Sequence, residues 1–484
     1  MDDKFTVGIT GSSLDIFVGN GEEIFKKNVN VLANLEKQLG FKLLVYDKLL
    51  KTREDAAAAG EFFEKNKIDM LIYFHATNAI GDIIYELAKF KFFIGLWAVE
   101  EVFKSGPFAN ASLVGLNQSS AIISHFFGND APLFKWFYGD ANGSLFLPKF
   151  MTTLKVLKLV KSLKNCRVGL IGNISPGFKD MVFDERDICK KLGIDVIRDF
   201  EIDDLLNIAD SVRDTEINEI SEALIANAVK VDAAKESILK SARLYVALRR
   251  IAEDNQLKAV ALGCWPKIED AYKIMPCAAS SLLNSFGIPV SCEGDLMSVV
   301  SLLILKSFNE EPGVVMDLAD FNVENSSIQL WHCGNIPTCL AEGGKYSICN
   351  HYAWYNELED GTKVRNFGAV IEAEFKQSEV TVFRVIGDSD KFYYFTGKSL
   401  DNSKLETFDG GRGWIGDLKL FKNPVNALDL INTIVIGGLP HHFPLTFKDV
   451  SDEIEELAYI LDLKKVKKIG YKNYLDSDDK DKEN

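Results

Sequence analysis

Gly287-Ile288-Pro289-Val290-Ser291-Cys292-Glu293-Gly294-Asp295 opens as a short apolar run and closes on two carboxylates that flank a glycine. The run Ile288 to Ser291 reads as a buried strand, and Asp295 stands where it can cap a helix beginning near Leu296. A strand leading directly into a helix is the repeating unit of a parallel α/β sheet, and open sheets of that kind hold their ligands at the carboxyl ends of the strands. Glu293 lies at such an end.

The same alternation extends outward in both directions. Arg167 to Ile171, Ile194 to Ile197, Lys258 to Gly263 and Val314 to Leu318 are further apolar runs, with helical sequence around Glu216 to Asn255 between them. Nearer the N-terminus, Phe5 to Thr10, Phe41 to Tyr46, Asp69 to Phe74 and Phe92 to Leu96 alternate with a helical stripe at Phe25, Val29, Leu32, Leu35 and Leu39 and a helix over Arg53 to Asn66. Continuously apolar strands between helices imply parallel sheets covered on both faces. Beyond Gly343 the texture changes to glycine-punctuated runs, Val364 to Phe375, Val380 to Ile386, Phe392 to Thr396 and Asn432 to Ile436, before a last helix at Val450 to Leu461. That spacing predicts an antiparallel, barrel-like domain. The expected architecture is therefore α/β, with two Rossmann-like parallel domains (1–160 and 161–340, joined by a helix-like stretch over Thr152 to Asn165), a C-terminal antiparallel β-barrel-like domain (341–470) and a disordered acidic tail (471–484).

At 484 residues the chain is long for a single core, and 47% hydrophobic content supplies the apolar surface that several domains require. A formal charge of −15 without a basic cluster argues against a nucleic-acid partner. No stretch approaches the roughly 18 consecutive apolar residues of a membrane span, and the Met-Asp-Asp-Lys start lacks the pattern of a secretion signal. A cytoplasmic protein is expected. The eight cysteines form no CxxC pair and read as reduced thiols, Cys292 and Cys333 among them.

Six histidines are few enough to weigh singly. His332 ends the β-prone run Ser326 to Leu330, in Trp331-His332-Cys333-Gly334, and His441-His442 follows the run Asn432 to Ile436. Neighbours on a strand face opposite ways, so only one of that pair can point inward. Asp317 falls within the apolar Val314-Val315-Met316-Asp317-Leu318, where a carboxylate needs a partner or a metal. Two carboxylates with one or two histidines make an oxygen and nitrogen set suited to Mn²⁺, or to Co²⁺ or Mg²⁺, with positions left for substrate oxygens. Such a set fits aldose–ketose isomerisation through a cis-enediol.

Taken together, Cys264-Trp265-Pro266, the Glu293 and Asp317 segments and Leu330-Trp331-His332-Cys333-Gly334 resemble the C-terminal pattern of the L-fucose/L-arabinose isomerase superfamily, in its compact branch. Glu293 and Asp317 lie 24 positions apart, as the metal carboxylates do in fucose isomerase, whereas Asp320 is 27 from Glu293, the spacing of arabinose isomerase. The resemblance implies a metal-dependent ketol isomerase acting as a trimer or hexamer. Glu293 and Asp317 would serve as acid/base pair and metal ligands and His442 as the third ligand. His332 and His441 would lie at the substrate, as would Trp97, Asn110 and Asn117 of the first domain, which in the family helps close a neighbouring subunit's site. Helix capping is the plain alternative for Asn117, and core packing for Trp97. Arg412, in Gly410-Gly411-Arg412-Gly413-Trp414, is a candidate for an anion pocket should the substrate be a modified hexose, for instance a sulfonated one. A non-catalytic sugar-binding protein is the competing reading. A nucleotide enzyme lacks its phosphate loop, since Gly8-Ile9-Thr10-Gly11 is too short.

Overall fold

Burial at six of seven positions in Thr6–Ser12 (β1) and at all six in Met70–His75 (β3) follows from their unbroken apolar character and requires helices on both faces. The computed structural model describes residues 4–352, 356–357, 360–364, 367–387, 389–402 and 405–472, in two compact units, Met1–Lys158 and Leu159–Asn484. In the first unit the order continues as α1 (Gly21–Leu39), β2 (Lys42–Val45), α2 (Arg53–Lys65), β3, α3 (Asp82–Ala88), β4 (Phe93–Ala98), α4 (Ser112–Phe126) and β5 (Phe134–Tyr138). The five strands form a parallel sheet in the order β2-β1-β3-β4-β5. Helix α1 is closed by Asn20, which accepts from Glu23 N–H, and by Gly40 in the left-handed region at φ 64°. Helix α5 (Leu147–Leu163) carries the chain out of this unit, where the sequence implied a helix-like link.

The second unit contains a parallel sheet and a closed barrel. The sheet is built from β6 (Arg167–Ile171), β7 (Asp195–Phe200), β9 (Leu257–Leu262) and β10 (Val290–Ser291), in the order β10-β9-β6-β7. Its helices are α6 (Glu185–Leu192), α7 (Ile202–Asp210), α8 (Asp214–Ala226), α9 (Lys235–Asp254), α10 (Lys267–Tyr272), α11 (Cys277–Phe286) and α12 (Leu296–Asn309), with a short strand β8 (Lys230–Val231) before α9. Beyond α12 come β11 (Val314–Asn322), β12 (Ser327–His332), β13 (Ser347–Cys349), β14 (Asn356–Glu357), β15 (Lys363–Val364), β16 (Val370–Glu374), β17 (Glu379–Ile386), β18 (Lys391–Ser399), β19 (Gly411–Leu420), β20 (Asn423–Pro424), α13 (Ala427–Ile436), β21 (His442–Thr446), α14 (Ser451–Leu461) and β22 (Lys464–Lys465). Strands β18-β17-β21-β11-β12-β19 pair antiparallel in succession, and pairing of β19 back to β18 closes a six-stranded barrel. Met316, Leu330, Val382, Phe395, Ile415 and Phe443 are among its buried filling.

Two expectations are corrected. Val314 to Leu318 was assigned to the second parallel layer, but β11 enters the barrel between β12 and β21, so that the barrel begins inside the segment expected to belong to the second α/β domain. Asn432 to Ile436 is not a strand but the end of α13, a helix capped by Asn426 Oδ1 accepting from Asp429 N–H at 2.8 Å. Ala427, Leu430, Thr433 and Ile434, four of its five buried residues, fall at helical spacing. Of the expected tail over 471–484, residues 473–484 lie outside the described residues. Among the described residues no helix is long and apolar enough to cross a membrane.

Candidate active site

Between β10 and α12 the backbone passes through two consecutive left-handed residues, Glu293 at φ 60° and Gly294 at φ 74°. A Cβ at Gly294 would come within 2.6 Å of Asn173 O, so only glycine fits. Glu293 does carry a Cβ and holds this conformation at a cost of roughly 1–2 kcal/mol. Three hydrogen bonds to the segments that end β6 and β9 offset it: Ser175 N–H donates to Glu293 O and Gly294 N–H to Leu262 O, both at 2.9 Å, and Glu293 N–H donates to Cys264 Sγ at 3.3 Å. The Glu293 carboxylate is thereby aimed by the carboxyl ends of β6, β9 and β10.

The barrel supplies the partners. Asp317 on β11 and His442 on β21 are paired directly across the antiparallel ladder, which puts their side chains on one face. His442 Nε2 lies 3.5 Å from Glu293 Oε2 and 3.8 Å from Asp317 Oδ1. Both Asp317 Oδ1 and His442 Nε2 are buried without a hydrogen-bond partner, a costly arrangement for groups of this polarity. On its other side His442 Nδ1 is 2.9 Å from Asp295 Oδ2. Asp295 caps α12 as expected, accepting from Ser298 N–H at 3.0 Å, and is also fully buried against Arg384. Burial alone would raise the Asp295 carboxyl, but the Arg384 guanidinium and His442 outweigh it and hold the group far below the usual carboxylate range.

His441 sits at the rim, stacked on Phe178 with ring centroids 5.3 Å apart. Its Nδ1 is 2.7 Å from Asp180 Oδ2 and its Nε2 is 3.3 Å from Glu293 Oε2. Partial burial opposes its charge, yet these two carboxylates hold the imidazole up at about 9. Of the adjacent pair, His442 is therefore the inward residue.

Among the described residues, two sets of three donors bring their atoms within 4.8 Å of one another, Glu293 with His441 and His442, and Cys292 with His332 and His442. The second set is compromised by its own hydrogen bonds. His332 Nδ1 accepts from Cys333 N–H at 2.8 Å, which leaves the hydrogen of a neutral ring on Nε2, pointing at Cys292 Sγ 3.0 Å away. Burial also pushes the Cys292 thiol well above its ordinary value, away from the thiolate that a metal binds. Glu293, Asp317 and His442 have a different character: two carboxylates and an imidazole, with Asp317 Oδ1 and His442 Nε2 buried and without a partner and Glu293 Oε2 3.5 Å from that nitrogen. They fit a hard divalent cation.

The remaining predicted residues divide. Asp320, the rival of Asp317, is exposed and accepts from Phe321 N–H at 2.8 Å, beyond a bulge between Leu318 and Asp320. Arg412 is not available as an anion pocket. Its guanidinium lies 3.2 Å from Glu372 and 3.6 Å from Glu374, with further donations to Thr407 Oγ1 and Gly410 O. In the first unit Trp97 is a fully buried core residue in place of the expected sugar contact: it packs on Phe74 and Phe146 and donates its indole N–H to Gly139 O at 2.8 Å. Asn117 is exposed within α4 and does not cap it, since the helix begins at Ser112. Asn110 is fully buried with neither amide atom hydrogen-bonded. Asp180, Arg384 and the second role of Asp295 were not foreseen from sequence, although a lone arginine inside the apolar run Val380 to Ile386 is itself a sign of a buried counter-charge.

No family model matches the chain. It is similar to curated proteins named sulfoquinovose isomerase: that of Priestia aryabhattai is 23% identical over 420 residues, covering 86% of this chain and 89% of the relative. That of Alkalicoccus urumqiensis is 24% identical over 401 residues, 82% of this chain and 85% of the relative. The likeness spans most of the chain, and by it the protein is an enzyme of the isomerase class.

Proposed function

We propose that the chain interconverts a sulfonated aldose and its ketose at the Glu293, Asp317 and His442 cluster, with a divalent cation such as Mn²⁺ held by those three residues. The observation that carries the metal reading is the pair of buried, unpartnered atoms Asp317 Oδ1 and His442 Nε2, 3.8 Å apart, with Glu293 Oε2 3.5 Å from the same nitrogen. A cation bound there supplies the positive charge that polarises a substrate carbonyl. The carboxylate pair Glu293 and Asp317 then performs the proton movement, one carboxylate lifting the proton from the carbon beside the carbonyl to form a cis-enediol and a carboxylate returning a proton to the neighbouring carbon. The reaction is redox-neutral within the substrate. The names of the relatives support a sulfonated sugar as that substrate.

Purified protein incubated with sulfoquinovose or with glucose, with added Mn²⁺ or with a chelator, and followed by NMR for ketose, tests each part. Ketose from sulfoquinovose, abolished by chelation and restored by Mn²⁺, is the expected result. Turnover that survives exhaustive chelation removes the metal from the reading; turnover of glucose alone removes the sulfonated substrate; sugar binding without turnover in any metal leaves a sugar-binding protein.

A further inference from the structure

Asp295 lies behind His442, on the side away from Glu293 and Asp317, and both of its oxygens accept hydrogen bonds from Arg384 and Ser298. Arg384 approaches it with two nitrogens, Nη1 at 2.7 Å from Oδ2 and Nη2 at 3.0 Å from Oδ1. Ser298 N–H donates to Oδ1 at 3.0 Å and Ser298 Oγ to Oδ2 at 2.8 Å. Asp295 and Arg384 are 0% and 1% exposed, so the bidentate ion pair is shielded from water. Arg384 Nη1 also donates to the His442 backbone oxygen at 3.2 Å, as does Tyr393 OH at 3.4 Å. One guanidinium therefore ties the start of α12, strand β17 and strand β21 together.

A carboxylate held at both oxygens by the Arg384 fork and by Ser298 is an acceptor, so the 2.9 Å contact between Asp295 Oδ2 and His442 Nδ1 has a single polarity, with the hydrogen on Nδ1. A neutral imidazole protonated at Nδ1 is bare at Nε2, and that is the atom left unpartnered beside Glu293 and Asp317. We propose that Asp295, held by Arg384, is a positioning residue: it fixes His442 in the Nδ1-protonated tautomer and so keeps the Nε2 lone pair directed at the cation site. This rests on the metal reading given above for the site's use, while the tautomer itself does not depend on a metal.

Nitrogen-15 NMR of histidine-labelled, metal-free protein, with His442 identified from the His442→Gln spectrum, reads the tautomer directly. A protonated Nδ1 and a bare Nε2 are expected in the wild type; a ring protonated at Nε2 overturns the proposal whatever any variant does. In Asp295→Asn the preference should weaken and Mn²⁺ affinity, measured calorimetrically, should fall about 10- to 100-fold. Glu293→Gln should lose affinity with the tautomer unchanged. If Asp295→Asn does not fold, the double change Asp295→Asn with Arg384→Met removes both members of the ion pair and takes its place. Mn²⁺ affinity and tautomer both unaltered in the folded variant would overturn the positioning role. Wild-type protein that binds no divalent cation would instead defeat the metal reading, with the tautomer result standing apart from it.

Discussion

Asp317 and His442 face each other across the β11–β21 pairing, and three residues further along β11 Asp320 is turned out to solvent. The two aspartates are thus separable by experiment. Asp317→Asn should weaken Mn²⁺ binding by at least tenfold and lower kcat by two or more orders of magnitude. Asp320→Asn should change stability by no more than about 0.5 kcal/mol and leave kinetics near wild type. Calorimetric Mn²⁺ titration and steady-state kinetics on both variants decide it, and equal losses in the two would refute the assignment of Asp317.

Glu293 is aimed by its strained backbone, and shortening it is as informative as neutralising it. Glu293→Gln removes the proton acceptor and should cost about 10²- to 10⁴-fold in kcat. Glu293→Asp keeps the charge but withdraws it by one methylene from a backbone that cannot follow, and should lose nearly as much. A Glu293→Asp enzyme with full activity would mean that the left-handed turn does not set the carboxylate's reach.

His75 in the first unit gives a pH dependence of stability. Its Nδ1 donates to Trp97 O at 3.2 Å and its Nε2 accepts from Ser119 Oγ at 2.9 Å, which describes a neutral ring, and burial lowers its pKa from 6.5 to about 4. Between those values the unfolded chain takes up a proton that the folded chain refuses, so stability is complete above the unfolded value and declines as pH falls through the window. The loss amounts to about 3 kcal/mol by the lower end. Denaturant titrations at neutral and mildly acid pH should show it in the wild type and show less of it in His75→Gln; an equal slope in both would assign the acid sensitivity to other groups.

Arg412 is neutralised by Glu372 and Glu374, and Arg412→Met should therefore leave the ratio of kcat/KM for a sulfonated over an unsulfonated sugar within about threefold of wild type, even where stability drops. A collapse of that ratio would return Arg412 to the substrate.

The parallel sheets were legible because their strands are apolar on both faces: β3 and β9 need only be recognised as runs too hydrophobic to face water. Glu293 was legible for a similar reason, as a carboxylate at the end of such a run, and Asp317 as one inside another. Helix α13 was not. Ile431, Thr433, Ile434, Val435 and Ile436 are β-branched and read locally as a strand; the Asn426 cap and the burial of one helical face decide otherwise. The partnership of β11 was equally hidden, since an apolar run carries no record of whether its neighbours will be parallel or antiparallel. Asp180 reaches His441 from 261 positions away in the chain, and no local pattern announces a contact of that range.

Closure of the barrel has a consequence for how this site can diversify. A ring of six strands in which β19 returns to β18 offers no loose end from which one strand could slide past its neighbours. Moving Asp317 by a single residue against His442 would throw its side chain to the opposite face and disturb the seams of the ring. The loops that join the strands carry no such constraint. They can lengthen, shorten and change composition while the opposed pair keeps its place, so the ring fixes the pair and leaves variation to the connections.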